Sequence, residues 1–382
     1  MIAHSTVIAC FALVLGTSLP RLYAQSSPPT QATPSKGSAQ DTLNRVRADL
    51  FSATPRLQDD VRDLKEILGA NPRSVEAHVL LGIAYRGLGT QEMLAEAVAE
   101  LRQAIEIDPD FAPARFLLAH VYLDLGRPAR AKEELEAALE KVPGNPQFMA
   151  SLGEAERQLN NPRKAIEIIR RALQADPSLA EAHYYLGLAL FNAGELPDAV
   201  KELEQVVQSG TGRPEAFLAL GMVYTESTRL DDAVMALTQG TKLDPARADL
   251  RIQLARAYRL KGQLDKAELE LNRARPKSNS LLAPSYTEHE QLEFDLYTEL
   301  GLVKMKRGQY GAAAEAFKKV LAMDPDHGPT NNRLAEVYLQ QGLFKLASEH
   351  AARASKAGYP LPESEQQLIR AGLAGKKPGV RE

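Results

Sequence analysis

His289 and Glu293 stand four residues apart, with Glu288 and Glu290 beside them, in a stretch that reads as helical. That spacing puts an imidazole and a carboxylate on one helical face, where they could hold a metal ion. A third ligand is not evident, and the group reads as a solvated acidic face. His78, His120 and His183 each fall in a helical run and read as packing or groove residues rather than catalysts. Serine is common only in the N-terminal stretch and in loops, and there is no Gly-x-Ser-x-Gly elbow. No Gly-x-x-x-x-Gly-Lys-Ser/Thr loop occurs to cradle phosphates. Nothing assembles a nucleophile, a base and an oxyanion hole, so no catalytic residue, cofactor or metal is expected. A hydrolase would have to run on His120 or His289.

The elements that would position any such residue are helices. Of 382 residues, 44% are hydrophobic but only 6% are aromatic, and tryptophan is absent. A chain rich in leucine and alanine and poor in aromatics favours helix over sheet. The net charge of -3 comes without a basic run, which argues against nucleic acid or an anionic membrane surface as partner.

The first 24 residues read as an export signal. "TVIACFALVLGTSLP" is an apolar run too short to span a bilayer, and Ala24 suits the last position before cleavage. The preceding "MIAHS" has no lysine or arginine, so retention as an N-terminal anchor is the alternative. Cys10 resembles a lipoprotein cysteine only superficially, since no apolar region precedes it. Cleavage would remove this single cysteine and Arg21, leaving a chain of charge -4 without disulfides or thiolate metal ligands. Residues 25–40, "QSSPPTQATPSKGSAQ", lack apolar periodicity and read as a flexible leader.

From there a period takes over. Gly82, Ala119, Gly153, Gly187, Gly221, Ala255, Gly301 and Ala335 each follow a leucine, and most are separated by 34 residues. A tyrosine often comes three later, as at Tyr85, Tyr122, Tyr224, Tyr258 and Tyr338. Twelve later sits alanine, at Ala131, Ala165, Ala199, Ala233, Ala267, Ala313 and Ala347, with Ala97 displaced by three extra residues. Glycine commonly lies between, and units tend to close on Asp-Pro. A mid-helix glycine costs about 1 kcal/mol relative to alanine, so its recurrence needs a reason. Close approach of two helix backbones supplies one, with Gly187 expected to meet Ala199.

This pattern closely resembles the tetratricopeptide repeat, a 34-residue helix-turn-helix unit with small residues at its eighth and twentieth positions. The resemblance covers residues 75–359, about eight repeats. It implies an all-α solenoid, a right-handed superhelix of stacked helix pairs. Residues 41–74 read as a degenerate N-terminal pair, 360–375 as a C-terminal capping helix and 376–382 as a disordered tail. An insertion near 275–293 contains Leu281, Leu282 and Tyr286. It reads as a surface loop, alternatively as residues that close over a groove or form a partner contact, and "SYTE" (Ser285 to Glu288) as a capping box that starts the next helix early.

The resemblance further implies that first helices line a concave groove through positions two, five, nine, twelve and thirteen. Onto this chain that carries Phe116, His120, Arg157, Gln158, Tyr184, Phe191, Asn192, Met222, Arg256 and Arg259. Aromatic anchors, amides and arginines suit a protein or peptide segment. The lysines and asparagines by which chaperone-binding members hold a terminal carboxylate are not at the matching positions. The expectation is a non-catalytic exported scaffold binding a protein or peptide partner. The alternative is a structural subunit of a cell-envelope assembly, for polysaccharide export or outer-membrane biogenesis, contacting partners by its convex face or insertion.

Overall fold

A computed structural model describes residues 38–52, 54–210, 213–275 and 286–375. The export signal, nearly all of the leader, Leu281, Leu282 and Ser285 of the insertion, and the tail lie outside the described residues. Among those described there are nineteen α-helices and no strand. No helix among them is long and apolar enough to cross a membrane.

The chain divides into two compact units after Ser227. The first holds α1 (Ala39–Leu50), α2 (Leu57–Ala70), α3 (Val75–Leu88), α4 (Gln91–Ile107), α5 (Ala112–Asp124) and α6 (Pro128–Lys141). It continues with α7 (Pro146–Gln158), α8 (Pro162–Ala175), α9 (Ala180–Ala193), α10 (Leu196–Gln208) and α11 (Pro214–Glu226). The second unit holds α12 (Leu230–Leu243), α13 (Ala248–Leu260), α14 (Leu264–Ala274) and α15 (Tyr286–Lys306). Its last helices are α16 (Tyr310–Met323), α17 (Gly328–Gln340), α18 (Phe344–Lys356) and α19 (Glu363–Leu373).

In each unit the helices pack as hairpins, such as α3 with α4 or α17 with α18, and consecutive hairpins stack. The turn inside each hairpin has one recurrent requirement. Seven residues after the small position the backbone is left-handed, with φ +80° at Gly194 and +65° at Gly126. Glycine adopts this conformation without Cβ strain, which explains its recurrence there. Asn160 (φ 62°) and Thr228 (φ 58°) fill the same place in two repeats. Between hairpins the Asp of Asp-Pro closes the turn. Asp176 Oδ1 accepts from the Ser178 amide at 3.0 Å, and Asp108, Asp244 and Asp324 repeat the bond.

The glycines of the first helices mark close approach to the second helices. A Cβ added at Gly187 would lie 2.6 Å from Leu203 Cγ. Leu203, one turn beyond Ala199, is therefore the side chain nearest that space, and at the equivalent Gly153 the Ala165 carbonyl oxygen also comes within 3.2 Å of the added Cβ. Leu101 stands in the same way against Gly82, Ile169 against Gly153 and Phe317 against Gly301.

At the N-terminus α1 begins at Ala39, two residues before the expected pair, because Ser38 and Asp41 form a reciprocal capping box. Leu43, Val46 and Leu50 of α1 join the same core as Leu64 and Ile67 of α2. Asp60 is buried among them, its Oδ1 3.7 Å from Arg45 Nη1. Burial, then the hydrogen bond and charge of Asp49, push its carboxyl up to about 7 against the pull of Arg45 and Arg56. A raised acid binds its proton more tightly in the folded state. Its stabilising contribution is thus complete below about 3.8, the ordinary value, and lost as pH rises through about 7. Asp60→Asn is therefore expected to stabilise the α1–α2 docking at pH 8 and to change little at pH 4. Urea unfolding at both pH values checks this, and greater stabilisation at pH 4 would contradict it.

Candidate functional site

The polar residues on the first helices of the first unit form a ladder. Position twelve of one first helix reaches position thirteen of the next. Arg86 of α3 forks onto Asp124 of α5, with Nη2 3.2 Å from Oδ1. Arg157 of α7 reaches Asn192 of α9, whose amide satisfies both ends when its oxygen accepts from Nη1 at 3.2 Å and its nitrogen donates to the Leu188 carbonyl at 3.3 Å. Arg157 also donates to both oxygens of Glu154 at 2.7 Å, and Gln158 Nε2 donates to Glu154 Oε1 at 2.8 Å. Arg157, Gln158 and Asn192 thus form one connected polar group around a buried carboxylate.

Tyr184 stands beside Tyr185, ring centroids 5.8 Å apart, and under the Arg213 guanidinium at 5.4 Å. Tyr185 donates its hydroxyl proton to Glu181 Oε1 at 2.9 Å. Burial pushes the Glu181 carboxyl up, while the Arg213 charge and the Tyr185 hydroxyl pull it back. Burial also drives the Tyr185 phenol well above its usual range, reinforced by the charges of Glu181 and Glu154. Phe191 and Met222 are half-buried, and Gln158 and Asn192 are exposed. This face has rigid, partly uncovered apolar surface next to amides that can meet a peptide backbone.

Phe116 and His120 lie in the interior. Phe116, 2% exposed, stacks on Phe148 of α7 with centroids 4.9 Å apart, and His120 meets its edge at 4.6 Å. His120 Nε2 is 3.0 Å from Ser151 Oγ. Burial, helped by the Arg86 charge, holds this imidazole well below its usual value and so neutral. The bulk of Phe148 on the next first helix closes the face at this level, and the pair bridges α5 to α7.

Arg256 and Arg259 belong to the second unit. Burial, reinforced by the Glu299 charge, pushes the Asp295 carboxyl up, while the Gln291 hydrogen bond and the half-buried Arg256 pull it back. Arg259 is buried in a forked pair with Glu299, Nε to Oε2 2.7 Å and Nη2 to Oε1 3.2 Å. Among the described residues no group of three or more His, Cys, Asp or Glu side chains could hold a metal ion, and the His289 side chain lies outside them.

His78 and His183 face away from this ladder, toward the turn between hairpins. Nδ1 of His78 is 2.6 Å from Glu100 Oε2, and Nε2 is 3.0 Å from the Pro72 carbonyl. His183 repeats both distances with Glu202 and Pro177.

The comparisons with known proteins agree with this architecture. Tetratricopeptide repeat profiles match residues 90–154, 224–280 and 304–364, and another such profile matches 152–214, together more than half of the chain. The chain is a tetratricopeptide repeat protein. No curated protein matches its sequence. Among solved structures, one from the Cut9–Hcn1 hetero-tetramer of APC/C shares the fold over 82% of this chain, with TM-score 0.63 and 17% identity. This chain spans 58% of the length of that one. YrrB, described as a TPR protein with an unusual peptide-binding site, aligns over 49% of this chain and 95% of its own, at 22% identity and TM-score 0.35. PilW, a type IV pilus biogenesis factor, aligns over 52% and 91%, at 21% identity and TM-score 0.46.

Within the repeat register, Glu154 falls at position nine, Glu181 at position two and Arg86 at position twelve. All three are groove positions by the family pattern, yet sequence reasoning passed over them. The signal was present in Arg157, three residues after Glu154, where a carboxylate and a guanidinium share one helical face. Tyr185, at position six, had no such signal.

Proposed function

We propose that this tetratricopeptide array is a non-catalytic scaffold that takes an extended protein or peptide segment along the first-helix face of α9 and α11. One observation carries the reading. At positions five and nine, Val79, Ile83, Phe116, His120, Ala150 and Glu154 of α3, α5 and α7 are all buried. At the same positions Tyr184 and Leu188 of α9, and Leu218 and Met222 of α11, are half-buried. The face therefore offers uncovered apolar and aromatic surface beside Asn192 and Gln158. Such anchors carry most of the energy in an interface.

Peptides selected from a random library on the wild-type protein provide the test. The triple variant Tyr184→Ala, Phe191→Ala, Met222→Ala is expected to bind them at least about 30-fold more weakly, the effect of losing one strong anchor. Its helical circular dichroism should be retained. Equal affinity for the variant would reject the assignment.

A second reading has its own support on the outer face of the second helices. Met235 of α12 and Leu269 of α14 are 62% and 49% exposed. Glu133, Glu167, Lys201, Glu315 and Glu349 occupy the equivalent place in other repeats. Two uncovered hydrophobes where charge is the rule favour a contact of the second unit with an assembly partner. Peptides that lose affinity for Met235→Glu, Leu269→Glu instead of the triple variant would favour this reading.

A further inference from the structure

Five of the eight repeats carry one polar clip joining position four of the first helix to position 23 of the second. His78 meets Glu100, Arg115 meets Glu134 (3.0 Å), His183 meets Glu202, Arg251 meets Glu270 (2.7 Å) and Asn331 meets His350 (2.8 Å). Where position four is apolar, as at Met149, position 23 is apolar too, as at Ile168. In four of the polar cases the same side chain also reaches the proline carbonyl six residues earlier. Arg251 Nη2 donates to Pro245 at 2.6 Å and Asn331 Nδ2 to Pro325 at 3.1 Å, as His78 and His183 reach Pro72 and Pro177. The clip therefore ties together both helices of a hairpin and the turn from the preceding one.

Arginine can serve both acceptors permanently, because it carries donors on every nitrogen. A neutral imidazole cannot. A carbonyl oxygen only accepts, and so does an ionised carboxylate, whereas a neutral ring has one N–H. At both His78 and His183 two ring nitrogens face two such acceptors. We infer that these histidines are proton-operated clips, each histidine–glutamate pair holding one proton more than a neutral ring beside a carboxylate. Whether that proton sits on the ring or is shared with the glutamate does not change the total. When it leaves, one of the two contacts becomes an acceptor facing an acceptor, and the hairpin loosens. The array thus carries pH-responsive clips in two hairpins and permanent ones where arginine stands.

The surroundings leave the paired glutamates as the principal opposing charges. Around His183, Glu181 of the same helix is bonded to Tyr185, and Asp176 of the turn to Ser178. Glu167, Arg170 and Arg171 of α8 are exposed, Glu154 and Arg157 of α7 pair with each other, and α11 contributes Glu215, which is half-buried. Around His78, Lys65 of α2 lies over the Tyr85 ring and Glu66 is exposed. Arg47 of α1 pairs with Glu76, Glu96 of α4 is exposed, and Arg115 of α5 turns to Glu134.

Because Tyr184 follows His183 directly, opening of this hairpin would also weaken ligand capture; that consequence rests on the groove reading, but the clip itself does not. Ligand-free amide exchange tests it on the full chain. Corrected for intrinsic rates, residues 180–208 should open at least about tenfold more often at about pH 8.5 than at about pH 6, the scale of one charge-assisted hydrogen bond. In His183→Arg, which copies Arg251, the ratio should fall to near one. It should do so as well in Glu202→Gln, where the second proton is no longer needed. Nitrogen-15 spectra of the histidine rings should show both nitrogens of His183 protonated at neutral pH. An unaltered pH response in both variants, or a singly protonated ring beside an ionised Glu202, would overturn the inference.

Discussion

Gly153→Ala is expected to destabilise the protein by about 1–3 kcal/mol, the usual range for overpacking, while Gly187→Ala stays close to neutral. The added Cβ at Gly153 would lie 2.3 Å from Ile169 Cγ1 and 3.2 Å from the Ala165 carbonyl oxygen. Ile169 is fully buried, and a β-branched residue in a helix has essentially one χ1 rotamer, so it cannot swing aside. At Gly187 the neighbour is Leu203, which is branched one carbon further out. The chain already shows that alanine is compatible with leucine at this crossing. Ala119 and Ala255 occupy the small position in repeats whose facing residues are Leu135 and Leu271. It nowhere combines alanine there with isoleucine or phenylalanine, so Gly301, facing Phe317, should behave like Gly153. Gly69→Ala is the control. Nothing lies within 4 Å of its added Cβ, and the helix α2 should gain the propensity difference of about 1 kcal/mol. Urea unfolding of the four variants checks the order, and equal losses at Gly153 and Gly187 would remove the steric explanation.

The period and the helix pairs were legible because they depend on spacing alone. A small residue every 34 positions and a glycine at the hairpin turn announce the repeat without reference to contacts. The filler of the glycine space was not legible. Ala199 and Leu203 lie one turn apart on the same face of α10, and only the axial offset between two packed helices selects Leu203. Burial of Phe116 escaped for a related reason. It shares position five with Tyr184, and the register treats both as groove residues. What separates them is the side chain on the next first helix, since Phe148 covers Phe116. The histidine clips were hidden because first-helix histidines at position four suit packing or a groove equally well, whereas the partner sits nineteen positions later in the same repeat.

Arg259→Leu is expected to cost about 3–5 kcal/mol, although Arg259 occupies position twelve of a first helix, as Arg157 does. Its guanidinium forks onto Glu299 of α15, and the two residues are only 9% and 8% exposed. Removing the cation alone leaves a carboxylate buried without its partner, which is the expensive way to break such a pair. The penalty should shrink as pH falls, because the stranded carboxyl can then take up a proton. Replacing both, as Arg259→Leu with Glu299→Leu, removes the charge along with its counter-charge. The double variant should therefore fall near wild type, or above it by up to about 4 kcal/mol if the leucines pack well. A residue held in an open groove would behave differently, since its loss would leave folding almost untouched and change binding alone. Denaturant unfolding of the two single variants and the double variant at neutral pH distinguishes these outcomes. A single variant as stable as wild type would return Arg259 to the ligand-facing surface, and a double variant as unstable as the single would show that shape rather than charge holds α13 to α15.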